Sequence, residues 1–168
     1  MQLKQNQIIP TVGYTREKVN YWSENAVITI YDMSGHTRYR NLWHHYYPVA
    51  MGIIFVIDAS DPGRMSVAKE ELRGVLEHDD LPSQIPLLIF ANKMDAEHAE
   101  KSEDIKVALM LEETALQYQH EIQLLETNGL RGDGVSKGMD WIAGQMRKQA
   151  LDRGAKEALA NTMIVHQV

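Results

Sequence analysis

The chain has 168 residues, 44% of them hydrophobic and 24% charged, with a net charge of −6 and no cysteine. This length supports one domain with a sizeable core. The acidic balance argues against a nucleic-acid partner. Without cysteine there is no disulfide framework and no cysteine metal site, and no apolar run reaches the ~18 residues of a transmembrane helix. The opening M-Q-L-K-Q-N-Q has no apolar stretch of the secretory kind. Residue 2 is not glycine, so no N-myristoylation site is expected on this chain.

From Ile8, I-I-P-T-V-G reads as a short extended loop fixed by Pro10. Tyr14 to Trp22 and Ala26 to Tyr31 read as two strands of an antiparallel hairpin around Ser23-Glu24-Asn25. The second strand delivers Asp32, with Gly35 three residues later. A carboxylate at a strand end suits a Mg²⁺ reached through water, because Mg²⁺ dehydrates reluctantly. A glycine, lacking Cβ, lets a backbone N–H approach a phosphate oxygen. Alone, D-x-x-G is weak evidence. Arg38 to Tyr47 then reads as a short, irregular helix stopped by Pro48.

Gly52 to Ile57, G-I-I-F-V-I, is a continuous apolar run ending in Asp58, as in a strand buried on both faces of a parallel sheet. Met65, Ala68, Leu72, Val75 and Leu76 recur at helical spacing, which predicts an amphipathic helix over Arg64 to Glu77. Pro86 to Ala91 is a second buried strand, Ser102 to Met110 a weaker helix, and Ile122 to Leu125 a third parallel strand. Val135, Met139, Ile142, Ala143 and Met146 predict a last helix from Val135 to Leu151. Residues 1–151 read as the domain and 152–168 as a tail with some helical pattern (Ala158, Leu159, Met163) and no assignable role. Strands alternating with helices predict an α/β fold, a mostly parallel sheet with helices on both faces. In such folds ligands sit beyond the carboxyl ends of the strands, where Asp32, Asp58, Asn92 and Thr127 fall.

The strongest motif is Asn92-Lys93-Met94-Asp95, directly after a buried strand. The Asp95 carboxylate can accept from the guanine ring N–H and the exocyclic amine together. Adenine offers no matching pair of donors. The Lys93 stem can lie over the base plane, and Asn92 can tie neighbouring loops together.

The order P-T-V-G-Y, Y-D-M-S-G-H-T-R-Y-R-N-L-W, N-K-M-D and G-D-G-V-S-K-G-M-D-W resembles the Arf family of small GTPases, from about Ile8 to Met146. The wording D-M-S-G-x-x-R-Y-R-N-L-W is closest to the Arf-like branch associated with recruiting the BBSome coat to ciliary membranes. The resemblance implies a P-loop-NTPase-like fold and a GTP-binding, GTP-hydrolysing switch in vesicle or ciliary traffic, with GTP or GDP and Mg²⁺ as ligands. It implies an exchange factor, a GTPase-activating protein and coat-type effectors as partners. It also implies a cytoplasmic location, peripheral at ciliary or endomembranes. Thr11 matches the switch threonine whose hydroxyl joins the Mg²⁺ shell, Asp32 and Gly35 match the second switch, and Tyr14 to Tyr31 match the interswitch hairpin. Thr127 falls in the loop whose backbone N–H meets the guanine carbonyl, although Leu125-Glu126 departs from the family's small-residue wording. Tyr14, Tyr31 and Tyr46 match three aromatic positions of the effector surface.

His36 stands where the family has the glutamine that orients the attacking water. Two readings stay open: a lost catalytic residue, or a histidine that still positions water, as an imidazole nitrogen can. The chain has no G-x-x-x-x-G-K-[S/T], and only seven residues precede Ile8. The expectation is therefore a domain lacking the family's first strand and P-loop, with an open slot in the sheet interior, unstable and weak in GTP binding. A second function stands beside the switch: a nucleotide-free or weakly binding module that keeps the effector surface.

Overall fold

The computed structural model describes residues 9–21, 26–152 and 161–168. Six strands form one sheet: β1 (Tyr14–Tyr21), β2 (Ala26–Met33), β3 (Gly52–Asp58), β4 (Leu87–Asn92), β5 (Ile122–Glu126) and β6 (Asn161–Gln167). The spatial order is β1-β2-β6-β3-β4-β5. Only β1 and β2 pair antiparallel, with Tyr14 opposite Met33 and Tyr21 opposite Ala26; all other pairs are parallel. The hairpin is thus as expected, while its turn Ser23-Glu24-Asn25 lies outside the described residues.

Two apolar layers flank the sheet. On one face α4 (Val135–Asp152) sets Ile142, Ala143 and Met146 against Ile28, Ile54, Leu88, Phe90 and Met163. On the other, α1 (Met65–Leu76) buries the expected stripe Met65, Ala68, Leu72, Val75 and Leu76. It is joined there by α2 (Ser102–Ala108), α3 (Leu111–Tyr118) and a 3₁₀ helix, Thr37–Val49, that buries Trp43 and Tyr47. Pro48 lies in the last turn of this 3₁₀ helix, which ends one residue later at Val49, close to the expected stop. The helix expected from Ser102 to Met110 ends two residues sooner, and α3 is additional. Met110, at φ 54°, breaks the two apart.

The main correction concerns residues 161–167. They are neither helical nor a tail outside the domain. They form β6, parallel to both neighbours: Ile28 to Met33 pair with Asn161 to His166, and Gly52 to Val56 with Met163 to Gln167. The expected open slot is therefore filled, from the far end of the chain. The reason is visible in the side chains. Met163 and Ile164 point to opposite faces, each fully buried in its own apolar layer, as a strand covered on both sides requires. Ala158 and Leu159, read as part of a helical pattern, lie outside the described residues.

Candidate nucleotide site

The carboxyl ends of β2, β3, β4 and β6 open on one cavity of about 520 Å³. Its wall includes Thr11, Gly35, His36, Asp58, Lys93 and Gln167. Sequence-distant residues meet here because parallel strands end side by side. Asp32 stands one residue before the end of β2, and its two carboxylate oxygens take different partners. The Thr11 hydroxyl donates to Oδ2 at 3.0 Å and the Gln167 amide donates to Oδ1 at 2.8 Å. Thr11 and Asp32, both matched to the metal, are thus brought together.

Gly35 follows in the turn after β2. A Cβ there would stand 1.6 Å from the Gln167 carbonyl oxygen, so no larger residue fits against β6. Arg40 Nε donates to the Gly35 carbonyl at 2.9 Å, and Nη1 of the same guanidinium pairs with Glu71 at 2.5 Å. Trp43 Nε1 donates to the Ser34 carbonyl at 3.0 Å. These contacts fix the backbone on both sides of the glycine. His36 caps the 3₁₀ helix, its Nδ1 accepting from the Arg38 N–H at 3.4 Å, and its ring lies on the cavity wall.

At the end of β4, Lys93 takes a left-handed conformation at φ 65° and pairs with Asp58 at 2.5 Å. Burial raises the Asp58 pKa, but the Lys93 ammonium and the Ser60 hydroxyl and N–H outweigh it and hold the carboxyl below its usual range. Asn92 Oδ1 accepts from the Gly129 N–H at 2.8 Å and from the Thr127 hydroxyl at 3.3 Å. The side chain ties two loops, as the sequence suggests. Asp95 lies around the corner in an adjoining hollow with Thr127 and Asn128, its carboxylate 3.8 Å from Arg131.

Thr127 corrects an expectation. Its backbone N–H donates to the Ala91 carbonyl at 2.8 Å, so this N–H is already used inside the fold. The residue is buried and supports Asn92 through its hydroxyl. The following N–H groups are also engaged: Asn128 with the Asp133 carbonyl, and Leu130 and Arg131 with Asn128 Oδ1. Two participants escaped the sequence reading. Asn128 follows a strand, a position that could have drawn notice. Gln167 carried no signal, because nothing in the sequence places residue 167 beside residue 32.

The three tyrosines form a cluster at β1, β2 and the 3₁₀ helix. Ring centroids are 4.5 Å apart for Tyr31 and Tyr46, 5.1 Å for Tyr14 and Tyr46, and 6.2 Å for Tyr14 and Tyr31. Burial, then a hydrogen bond with Tyr14, pushes the Tyr46 hydroxyl up to about 12. Tyr14 remains 45% exposed, so the cluster reaches the surface.

The donors suit a hard cation: the Asp32 carboxylate and the Thr11 hydroxyl are oxygen ligands of the kind Mg²⁺ accepts. Among the described residues no group of three or more His, Asp or Glu is placed to hold a metal. No helix among the described residues is long and apolar enough to cross a membrane.

Comparison with known proteins gives a consistent result. A profile of the ADP-ribosylation factor family matches residues 1–146. ADP-ribosylation factor-like protein 6 of Danio rerio is 43% identical over 141 residues, covering 83% of this chain and 73% of the relative. Its Caenorhabditis elegans counterpart is 38% identical over 148 residues, covering 88% and 75%. The structure of the Arl6 BBS3 small GTPase from Trypanosoma brucei, with the bound nucleotide analogue GppNp, superposes with a TM-score of 0.78. It is 36% identical and covers 88% of this chain and 87% of that one. With the motifs, the sheet and the relatives in agreement, the chain belongs to the ADP-ribosylation factor family of small GTPases.

Proposed function

We propose that this protein is a guanine-nucleotide switch of the Arf-like kind, working with Mg²⁺ in vesicle or ciliary membrane traffic. The observation that carries the reading is the meeting of Thr11, Asp32, Gly35, His36, Asn92 and Lys93 at one end of the sheet, with Asp95 in the adjoining hollow. In this reading Asp95 accepts from the guanine N–H and amine, while Asn92 holds the base loop in place. Lys93 covers the base, which requires its ammonium to leave Asp58. Thr11 and Asp32 would hold Mg²⁺, which would neutralise charge on the phosphates. The Gly35 N–H faces the terminal phosphate, and His36 orients water through an imidazole nitrogen. Tyr14, Tyr31 and Tyr46 offer rings with polar tips to a coat-type effector.

The nucleotide part is supported by the GppNp-bound Arl6 BBS3 small GTPase of Trypanosoma brucei, and the trafficking part rests on the motif resemblance. A second reading, a weakly binding effector module, is favoured by one observation: both Asp32 oxygens are already engaged within the chain.

The test is base choice. An Asn at 95 replaces an acceptor oxygen with a donor amide, which mismatches guanine's amine and suits the oxygen of xanthine. With fluorescent nucleotides and Mg²⁺, the protein should prefer GDP and GTP over ADP and ATP. Asp95→Asn should lose guanine affinity and gain relative affinity for the xanthine nucleotide. Equal binding of guanine and adenine nucleotides, or no change in the variant, would refute the assignment.

A further inference from the structure

β6 reaches the site with its end, and that end is engaged with the groups a metal-bound phosphate would need. Gln167 donates its amide to Asp32 Oδ1 at 2.8 Å. Its carbonyl oxygen packs against Gly35 where a Cβ would be 1.6 Å away. The Val168 N–H then donates to the Val56 carbonyl at 2.9 Å, pinning the strand end between Gly35 and β3. Asp32 and Gly35 are the carboxylate and the glycine assigned above to Mg²⁺ and the terminal phosphate, so two sets of partners compete for one pair of groups.

A second observation bears on how firmly β6 sits. His166, one residue earlier, is fully buried, and neither ring nitrogen has a hydrogen-bond partner. Its ring lies 4.1 Å from that of Trp43, 5.9 Å from Tyr47 and 6.5 Å from Phe55, all measured between centroids. A buried imidazole without a partner weakens the seating of the strand that carries it. β6 therefore combines an apolar middle, Met163 and Ile164, that suits the sheet, with an end that the sheet holds at a cost.

We propose that the end of β6 is an intramolecular latch: Gln167 occupies Asp32 and Gly35 in the resting chain, and Mg²⁺-nucleotide binding requires it to withdraw. The proposal rests on the nucleotide reading above. Gln167 acts as a competitor for Asp32, not as a member of the binding machinery.

The chain has no cysteine, so a single introduced thiol reports on one strand. Val168→Cys places it beside Gln167 at the end of β6, partly buried against the core, and Ala68→Cys places a control at a buried position of α1. Thiol labelling is followed with and without Mg²⁺-GDP, and fluorescent GDP is titrated into the natural sequence and into Gln167→Ala. The latch predicts faster labelling at 168 when nucleotide binds, with labelling at 68 unchanged or slower. An ordinary ligand would slow both, because it stabilises the whole fold. Gln167→Ala should tighten GDP binding by at least about fivefold, and the gain should vanish when the metal is chelated. Slower or unchanged labelling at 168, or unchanged affinity in Gln167→Ala, overturns the latch while leaving the nucleotide reading intact. No guanine binding by either protein overturns both.

Discussion

The buried imidazole of His166 makes a quantitative prediction about acid. Burial alone drives its pKa down to about 3 from an ordinary 6.5, and no acidic partner opposes that shift. The folded chain holds this residue neutral, and the unfolded chain protonates it as pH falls through 6.5. Unfolding therefore takes up a proton anywhere between those two values, and stability present above pH 6.5 is lost progressively down to about 3. At about 1.4 kcal/mol per pH unit, the loss between pH 7 and pH 5 is about 2 kcal/mol. That is a sizeable part of a domain stability of roughly 5–15 kcal/mol. It corresponds to a Tm drop of about 4–8 °C for a chain of this size. His166→Leu replaces the imidazole with a side chain suited to Trp43, Tyr47 and Phe55. Thermal unfolding of both proteins should be followed by circular dichroism at pH 7 and pH 5. The variant should be the more stable at pH 7 and should lose about 2 kcal/mol less on acidification. His120 is also pushed below its usual range by burial, partly offset by its bond to the Ile85 carbonyl, so the variant keeps some acid sensitivity. The Asp58 carboxyl, held low, titrates below this window. If both proteins lose the same stability between pH 7 and pH 5, His166 is not held dry in the sheet and the reasoning fails.

Two further outcomes can be checked. Tyr31→Ala and Tyr46→Ala should weaken capture of a coat-type effector in the GTP state while leaving nucleotide affinity nearly unchanged, measured by pull-down and titration; unfolding of both variants would show the tyrosines to be core. Gly138→Ala should destabilise by about 1–3 kcal/mol in denaturant unfolding, because a Cβ there would stand 2.3 Å from the Phe90 ring; an unchanged midpoint would mean that α4 sits farther from β4 than described.

Much of this sheet can be read from the sequence because its strands announce themselves. G-I-I-F-V-I-D and P-L-L-I-F-A are apolar runs of strand length, and the stripe on α1 has a clear helical period. The site motifs are legible for the same reason, since Asp32 and Asn92 stand at strand ends. What escapes falls into two physical classes. The break between α2 and α3 occurs at Met110, a non-glycine residue at φ 54°, with no glycine or proline to mark it. The residue Leu109, buried in the core, ties the break down through packing rather than local preference. β6 escapes because N-T-M-I-V is a short apolar run, ambiguous between strand and helix. Its choice of state is made by the gap between β2 and β3, a tertiary fact. Gln167 ends β6, so its bond to Asp32 could not be anticipated either.

The position of β6 also has a consequence for how the chain is made. β2 and β3 emerge from the ribosome long before their common neighbour. From Asp58 to Gln167 there are 109 residues, which at a synthesis rate of ~5–20 residues per second is roughly 5–20 s. During that interval the facing edges of β2 and β3 have no partner, and the apolar run of β3 stands beside bare N–H and C=O groups. Closing the sheet then joins segments 133 positions apart, Ile28 and Asn161, a high-contact-order step that is intrinsically slow. The yield of soluble protein should therefore be set by the waiting time of the nascent chain, and slower synthesis across residues 59–160 should lower it.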